Sequence, residues 1–120
     1  MQDFKRLAVW SVSMDLAQTV YETTADFPPD ERYELTKQMR RCSVSIPSNI
    51  AEGCGRTTRR ELAYFVGVAI GSTHELETQV LLATRLGLIA SNNRLLAEVH
   101  RAKAMLLSFH RSVREQLGNP

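Results

Sequence analysis

The chain has 120 residues, 43% of them apolar, with a formal charge of +2. That length suits one domain with a core of its own, and the composition excludes a disordered chain. No run approaches the roughly 20 apolar residues of a membrane span, so no membrane partner is expected.

The first predicted helix covers about residues 5–25. Leu7, Trp10, Met14, Ala17 and Tyr21 recur at spacings of three and four, which reads as its core seam. Val9, Leu16 and Val20 form a second apolar stripe, open to a neighbouring subunit. Phe27-Pro28-Pro29-Asp30 ends this helix, and Asp30 is the expected N-cap of the second, over 31–53. Leu35, Met39, Cys42, Ile46 and Ile50 make its buried face. Pro47 lies inside that pattern, so a kink or break is expected near Ser43–Pro47, and Gly53-Cys54-Gly55 reads as the stop.

Thr58-Arg59-Arg60-Glu61 is a capping box opening the third helix, 59–87. Its expected core face is Leu62, Phe65, Ala69, Leu76, Val80 and Ala83, and Ala63, Gly67 and Gly71 form a small-residue stripe for close helix approach. Gly87 reads as its stop. Ser91 caps the fourth helix, 91–117, with Leu95, Val99, Ala102, Leu106, Phe109 and Val113 as its seam, and Gly118-Asn119-Pro120 closes it. Short connections between long helices predict an all-α, up-down-up-down antiparallel four-helix bundle spanning 1–120.

Candidate chemistry is sparse. The residues three before His74, His100 and His110 are Gly71, Ala97 and Leu107, so the Glu-x-x-His motif of metal-binding bundles is missing. Solvated surface positions are expected for His100 and His110. Ser43, Ser45 and Ser48 surround Pro47 and read as backbone-bonding groups rather than nucleophiles. No phosphate-binding glycine loop is present. Glu52 and Glu75 are expected to be buried or half-buried beside polar partners. Cys42 and Cys54 match no zinc spacing and read as thiols, Cys42 as a small core residue. Met1-Gln2-Asp3-Phe4-Lys5-Arg6 lacks the order of a signal peptide, so a cytoplasmic location is expected. No metal, cofactor or enzymatic activity is expected.

Charge is segmented along the chain. Residues 1–31 carry Lys5 and Arg6 against six carboxylates, a net of −4. Residues 32–60 carry Arg32, Lys37, Arg40, Arg41, Arg56, Arg59 and Arg60 against Glu34 and Glu52, a net of +5. Lys37, Arg40, Arg41, Arg56, Arg59 and Arg60 are therefore the candidate nucleic-acid-binding residues, since arginine forks and a helix N-terminus suit phosphate. The bland alternative is a solvated charged face. Aromatic residues are not interleaved with these charges, so backbone contact is expected rather than base stacking.

Several runs carry a resemblance. Trp10, Ala17, Val20 and Tyr21, then Phe27-Pro28, Glu31, Tyr33, Leu35 and Gln38, open it. Arg40-Arg41 and Ser45-Ile46-Pro47-Ser48-Asn49-Ile50-Ala51-Glu52-Gly53 are its centre, followed by Gly71-Ser72, Glu75-Leu76-Glu77 and Gln79. Over about residues 4–90 the chain resembles the family of 23S rRNA intervening-sequence proteins, bacterial four-helix bundles. The last helix is similar only in length and pattern. The resemblance implies a homopentameric ring. It also points to Arg40, Arg41, Asn49 and Glu52, the last two as polar groups satisfied at the kink or a subunit contact, with Cys42 where alanine is usual. The fold is similar to that of the accessory variability determinant of diversity-generating retroelements, which binds nucleic acid and a reverse transcriptase. The expectation is a non-catalytic homo-oligomeric scaffold whose basic face engages RNA or DNA, with a protein as a further partner. The alternative is a structural or protein-adaptor oligomer without nucleic-acid binding.

Overall fold

Helical periodicity becomes four α-helices in a computed structural model that describes residues 3–118. Met1 and Gln2 of the N-terminal run and Asn119-Pro120 of the closing signal lie outside the described residues. Helix α1 spans Ala8–Thr24, α2 Leu35–Cys54, α3 Arg59–Arg85 and α4 Leu95–Gly118. Short 3-10 turns at Phe4–Arg6 and Pro29–Glu31 precede α1 and α2.

Each helix packs on its chain neighbours, and α1 closes against α4. Cross-helix contacts fix the directions. Arg40 reaches back to Tyr21 and Thr24, Ser45 meets Ser72, and Lys103 meets Glu77. Residue numbers rise on one helix as they fall on the next, so neighbours are antiparallel and the order is up-down-up-down. The bundle is a rod of 52 × 21 × 20 Å. No described helix is long and apolar enough to cross a membrane.

The core is a stack of fully buried side chains, including Leu16 and Val20 of α1, Met39, Ile46 and Ile50 of α2, Leu62, Val66 and Leu76 of α3, and Leu95, Val99 and Leu106 of α4. Truncating any of these large aliphatics to alanine costs about 2–5 kcal/mol, since the cavity closes only in part. Phe27 and Ile89, from the connections, are buried with them. The expected face of α2 is buried throughout, Cys42 included.

Several local expectations are corrected. On α1 the core stripe is Val9, Ser13, Leu16, Val20 and Thr24 with Ala17, and the expected seam lies to one side, Met14 and Tyr21 each 45% exposed. Ser13 and Thr24 enter the core because their hydroxyls donate to the Val9 and Val20 carbonyls one turn back, both at 2.7 Å. Asp30 does not cap α2. It sits in the 3-10 turn, and the Glu31 carboxylate accepts from the Leu35 N–H at the true helix start. Pro47 breaks nothing: α2 runs through it as one helix, with the ring buried. Helix α2 ends at Cys54 with Gly55 as its C-cap, inside the expected Gly53-Cys54-Gly55 stop. Phe65 is half-buried, and Val66 and Thr73 take the core positions beside it. Helix α3 ends at Arg85, where Gly87 at φ 76° turns the chain. Helix α4 starts four residues after Ser91, with the Asn93 side-chain oxygen accepting from Leu95 N at 2.7 Å. Phe109 is half-buried, and the rest of the expected α4 seam is buried. The Thr58 cap forms as expected at 3.2 Å from Glu61 N, but the Glu61 carboxylate accepts from the Thr58 hydroxyl rather than from the cap's N–H.

Candidate nucleic-acid interface

The first two turns of α2 carry Lys37, Arg40 and Arg41, and the 3-10 turn just before it delivers Arg32. The structure gathers all four, with Tyr21 of α1 and Val44, along one groove. Among the described residues none of these four cations forms an ion pair. Arg40 is held most firmly. Its Nε donates to Thr24 Oγ1 at 2.9 Å, a terminal nitrogen donates to the Tyr21 carbonyl at 3.3 Å, and the guanidinium lies 4.6 Å from the Tyr21 ring centre. A cation at the C-terminal end of α1 complements the free carbonyls and dipole there. Arg40 is thus half structural, whereas Lys37 and Arg41 are exposed with no bonded partner among the described residues.

The remaining candidates do not join this groove. Arg40 and Arg56 are sixteen residues apart on and beyond one helix, roughly 24 Å at 1.5 Å per residue. Arg56 pairs with Glu52 at 2.7 Å and lies 4.9 Å from the Phe65 ring centre, so its charge is already engaged. Arg59 and Arg60 are exposed at the start of α3. Arg60 lines a separate pocket with Tyr64, His110 and Arg114. The single basic constellation expected from sequence is therefore two, one at each end of α2.

Helix pairing supplies what the charge pattern missed. Arg32, counted in the basic segment but not among the candidates, belongs to the groove. Tyr21 comes to it from the preceding helix, eleven residues before Arg32 and sixteen before Lys37, so aromatic and cationic groups do interleave in space. The only signal in sequence was that Tyr21 lies near the end of α1 that an antiparallel α2 must start beside.

The polar motif around Pro47 is a contact between helices. The Ser45 hydroxyl donates to the Cys42 carbonyl at 2.6 Å and meets Ser72 Oγ at 2.7 Å. Cys42 Sγ donates to the Ser72 carbonyl at 3.1 Å, and Asn49 donates to the Ser45 carbonyl at 2.7 Å. Burial pushes the Cys42 thiol up to about 12, and the neighbouring Glu75 charge adds to the rise. The bonds of Ser43, Ser45 and Asn49 go to the carbonyls of Arg40, Cys42 and Ser45, not to that of Ser43, which Pro47 leaves without its helical donor.

Other motif residues fall elsewhere. Ser48 is exposed, and Glu52 and Glu75 are exposed rather than buried, because both sit on the outward side of their helices. A Cβ on Gly53 would come within 3.0 Å of Leu62 Cδ1 and Phe65 Cβ, so its bare backbone is what lets α2 approach α3. Gly71 has nothing within 4 Å of such a Cβ, so the expected close approach along that stripe does not occur there. His100 is not simply solvated: its Nε2 lies 3.2 Å from Glu77, which also accepts from Lys103 at 2.7 Å. Hydrogen bonds from Lys103 and then His100 hold the Glu77 carboxyl below its usual range.

The model of the family described as 23S rRNA-intervening sequence protein matches residues 5–108. The match takes in the groove and the polar motif, and it reaches well into α4, beyond the region of resemblance read from the residues alone. A search of curated proteins finds no match. With 5–108 of its residues matched to the family and its four helices in the expected order, the chain belongs to the 23S rRNA-intervening sequence protein family.

Proposed function

We propose that this protein is a non-catalytic, homo-oligomeric scaffold that engages RNA or DNA through the cationic groove at the head of α2. The observation that carries the reading is the gathering of Arg32, Lys37, Arg40 and Arg41 without an ion pair among the described residues. Four like charges repel one another, and a phosphate backbone relieves that repulsion while releasing its counterions. Arg40, fixed on Tyr21 and Thr24, gives the groove one cation with little orientational freedom left to lose on binding.

Self-association is supported by apolar side chains left open on two sides. Trp10, Met14 and Val44 line a groove between α1 and α2, and Tyr64 and Val68 project from α3 at 66% and 38% exposure. Two different patches on one chain suit a head-to-tail contact, which closes into a ring when the rotation per copy divides a full turn. The five-fold ring that the resemblance implies is of this kind. Both cysteines are free thiols, which fits a reducing, cytoplasmic compartment. The apolar α1–α2 groove also supports the second reading, an adaptor for a protein partner.

The test is a titration of labelled single-stranded RNA and duplex DNA against the purified oligomer over a salt series. The expected slope of log K against log salt is roughly −0.7 to −0.9 per phosphate contacted. Arg32→Glu, Lys37→Glu and Arg41→Glu together should abolish binding and leave the oligomer intact. Binding unchanged by the triple reversal refutes the site. Loss of the oligomer instead favours the adaptor reading.

A further inference from the structure

At the other end of the bundle α3 and α4 share a pocket of about 420 Å³. Arg60 and Tyr64 reach it from α3, and His110 and Arg114 from α4. His110 is half-buried, and its Nε2 lies 3.8 Å from where a Cβ on Gly67 would sit, so the imidazole rests beside bare α3 backbone. No carboxylate lines the pocket. Among the described residues neither arginine forms an ion pair. His74 bonds the Ile70 carbonyl and His100 meets Glu77, whereas His110 has no bonded partner among the described residues. Of the acids nearest in sequence, Glu61 accepts from the Thr58 hydroxyl, and Glu115 pairs with neither arginine. Arg60 also stands in the first turn of α3, at the positive end of that helix, where a cation is disfavoured and an anion is favoured. Cationic groups from two helices that converge with no acid between them call for an anion. Guanidinium forks suit the oxygens of phosphate.

The pocket and the cationic groove lie far apart. Helix contacts run from α1 to α2, α3, α4 and back to α1, with none between α1 and α3 or between α2 and α4. The α1–α2 groove and the α3–α4 pocket are therefore on opposite sides of the rod, which is about 21 Å across. They are also at opposite ends, because the groove sits at the head of α2 and α3 starts beside its foot. The sixteen residues from Arg40 to Arg56 alone make roughly 24 Å of that rise. A duplex seated in the groove is too stiff to turn round the bundle. A single strand can follow the surface. At 3.4 Å per stacked nucleotide it needs about nine nucleotides for the straight-line distance of roughly 30 Å.

We propose that this pocket is a second phosphate contact for a single strand that is held in the cationic groove and wraps the bundle. Neither arginine here is tied down by a bond, so a lone phosphate binds weakly, and tethering through the groove supplies the local concentration that fills the pocket. Reversal of the groove charges therefore still abolishes binding. The proposal rests on the nucleic-acid reading above and adds to it a minimum strand length and an advantage of single strand over duplex.

The experiment measures salt-dependent binding of labelled uridine strands of about 5 and about 20 nucleotides, and of a duplex of about 20 base pairs, to the full-length protein and to Arg60→Gln with Arg114→Gln. Two lost single-strand contacts should make the slope of the long strand shallower by about 1.4 and weaken its binding. The short strand and the duplex should bind as to wild type. Both side chains are exposed and unbonded among the described residues, so circular dichroism and oligomer size should be unchanged. Arg60→Lys with Arg114→Lys keeps the charge and should keep the long-strand slope, which decides the matter should the glutamines disturb the fold. A long-strand slope unchanged by the glutamines, or lost with the lysines as well, overturns the pocket while the groove reading stands. So does an equal loss for the short strand or the duplex, or a change in oligomer size with all slopes unchanged. Failure of the wild-type protein to bind any of the three at low salt overturns both.

Discussion

One substitution at two glycines, Gly53→Ala and Gly71→Ala, should change stability in opposite directions. Both residues lie inside helices, and replacing a helical glycine by alanine gains up to about 1 kcal/mol of helix propensity. At Gly71 nothing lies within 4 Å of the new methyl, so the gain is kept. At Gly53 the methyl would meet Leu62 Cδ1 and Phe65 Cβ at 3.0 Å and the Leu62 carbonyl at 3.3 Å. The Leu62 methyl can swing aside. Phe65 Cβ and the carbonyl move only if α3 moves. Overpacking of this kind costs about 1–3 kcal/mol, which cancels the propensity gain and leaves a net loss of up to about 2 kcal/mol. The two variants should therefore differ by roughly 1–3 kcal/mol in urea unfolding at equal m-value. Gly53→Ala as stable as wild type would refute the argument that bare backbone is needed where α2 meets α3. A destabilised Gly71→Ala whose deficit grows with protein concentration would place that position in a contact between copies.

Arg40→Ala should cost about 1–3 kcal/mol in the same assay, since it removes two bonds to the end of α1 and a cation–π contact. Lysine at that position should recover only part of it, lacking the planar fork. The Cys42 thiol should resist iodoacetamide at pH 8 until the protein unfolds, and ready alkylation of the folded chain would contradict its burial. Its raised value means the folded state disfavours the thiolate. That stabilisation is complete below the unfolded value near 9.0 and is lost as pH rises towards about 12. Stability should fall by up to about 1.4 kcal/mol per pH unit across that window, and Cys42→Ala should flatten the slope. Glu77→Gln should lower stability at neutral pH. Because the Glu77 value is depressed, the contribution is present above the ordinary carboxylate range and fades as pH falls through the folded value. Wild type and variant should converge in acid, and a gap that persists there would count against the Lys103–Glu77–His100 cluster.

Much of the bundle was readable in the sequence because three helices bury ordinary aliphatics at helical spacing. The face of α2 from Leu35 to Ile50 is buried throughout, and Gly87 does turn the chain. Helix α1 misled because its core stripe contains Ser13 and Thr24. Counted by polarity, those positions look like surface, and Trp10, Met14 and Tyr21 look like core. Yet a hydroxyl that bonds its own helix carries its partner into the core, so Ser13 is fully buried while Met14 and Tyr21 are left half open. Pro47 misled in the opposite way. The residue rule for a proline inside a helix concerns an isolated strand of backbone, whereas here the ring is buried and α2 is packed along both sides by α1 and α3.

The site was legible only as charge. A run of net +5 says that a basic surface exists, but not which arginines are free. Arg40 and Arg56 both spend much of their hydrogen-bonding capacity inside the fold, one on the end of α1 and the other on Glu52. Arg32 stands outside the helix altogether and joins the groove only through the turn. The same α2 also serves three neighbours at once. Leu35, Met39, Cys42, Ile46 and Ile50 fill the core, Arg40 and Val44 border α1, and Gln38, Arg41 and Ser45 border α3. A break at Pro47 would have turned the later half of the helix away from one of these. A helix unbroken through Pro47 carries both the cationic groove beside α1 and a polar cleft beside α3, with Arg41 lining each.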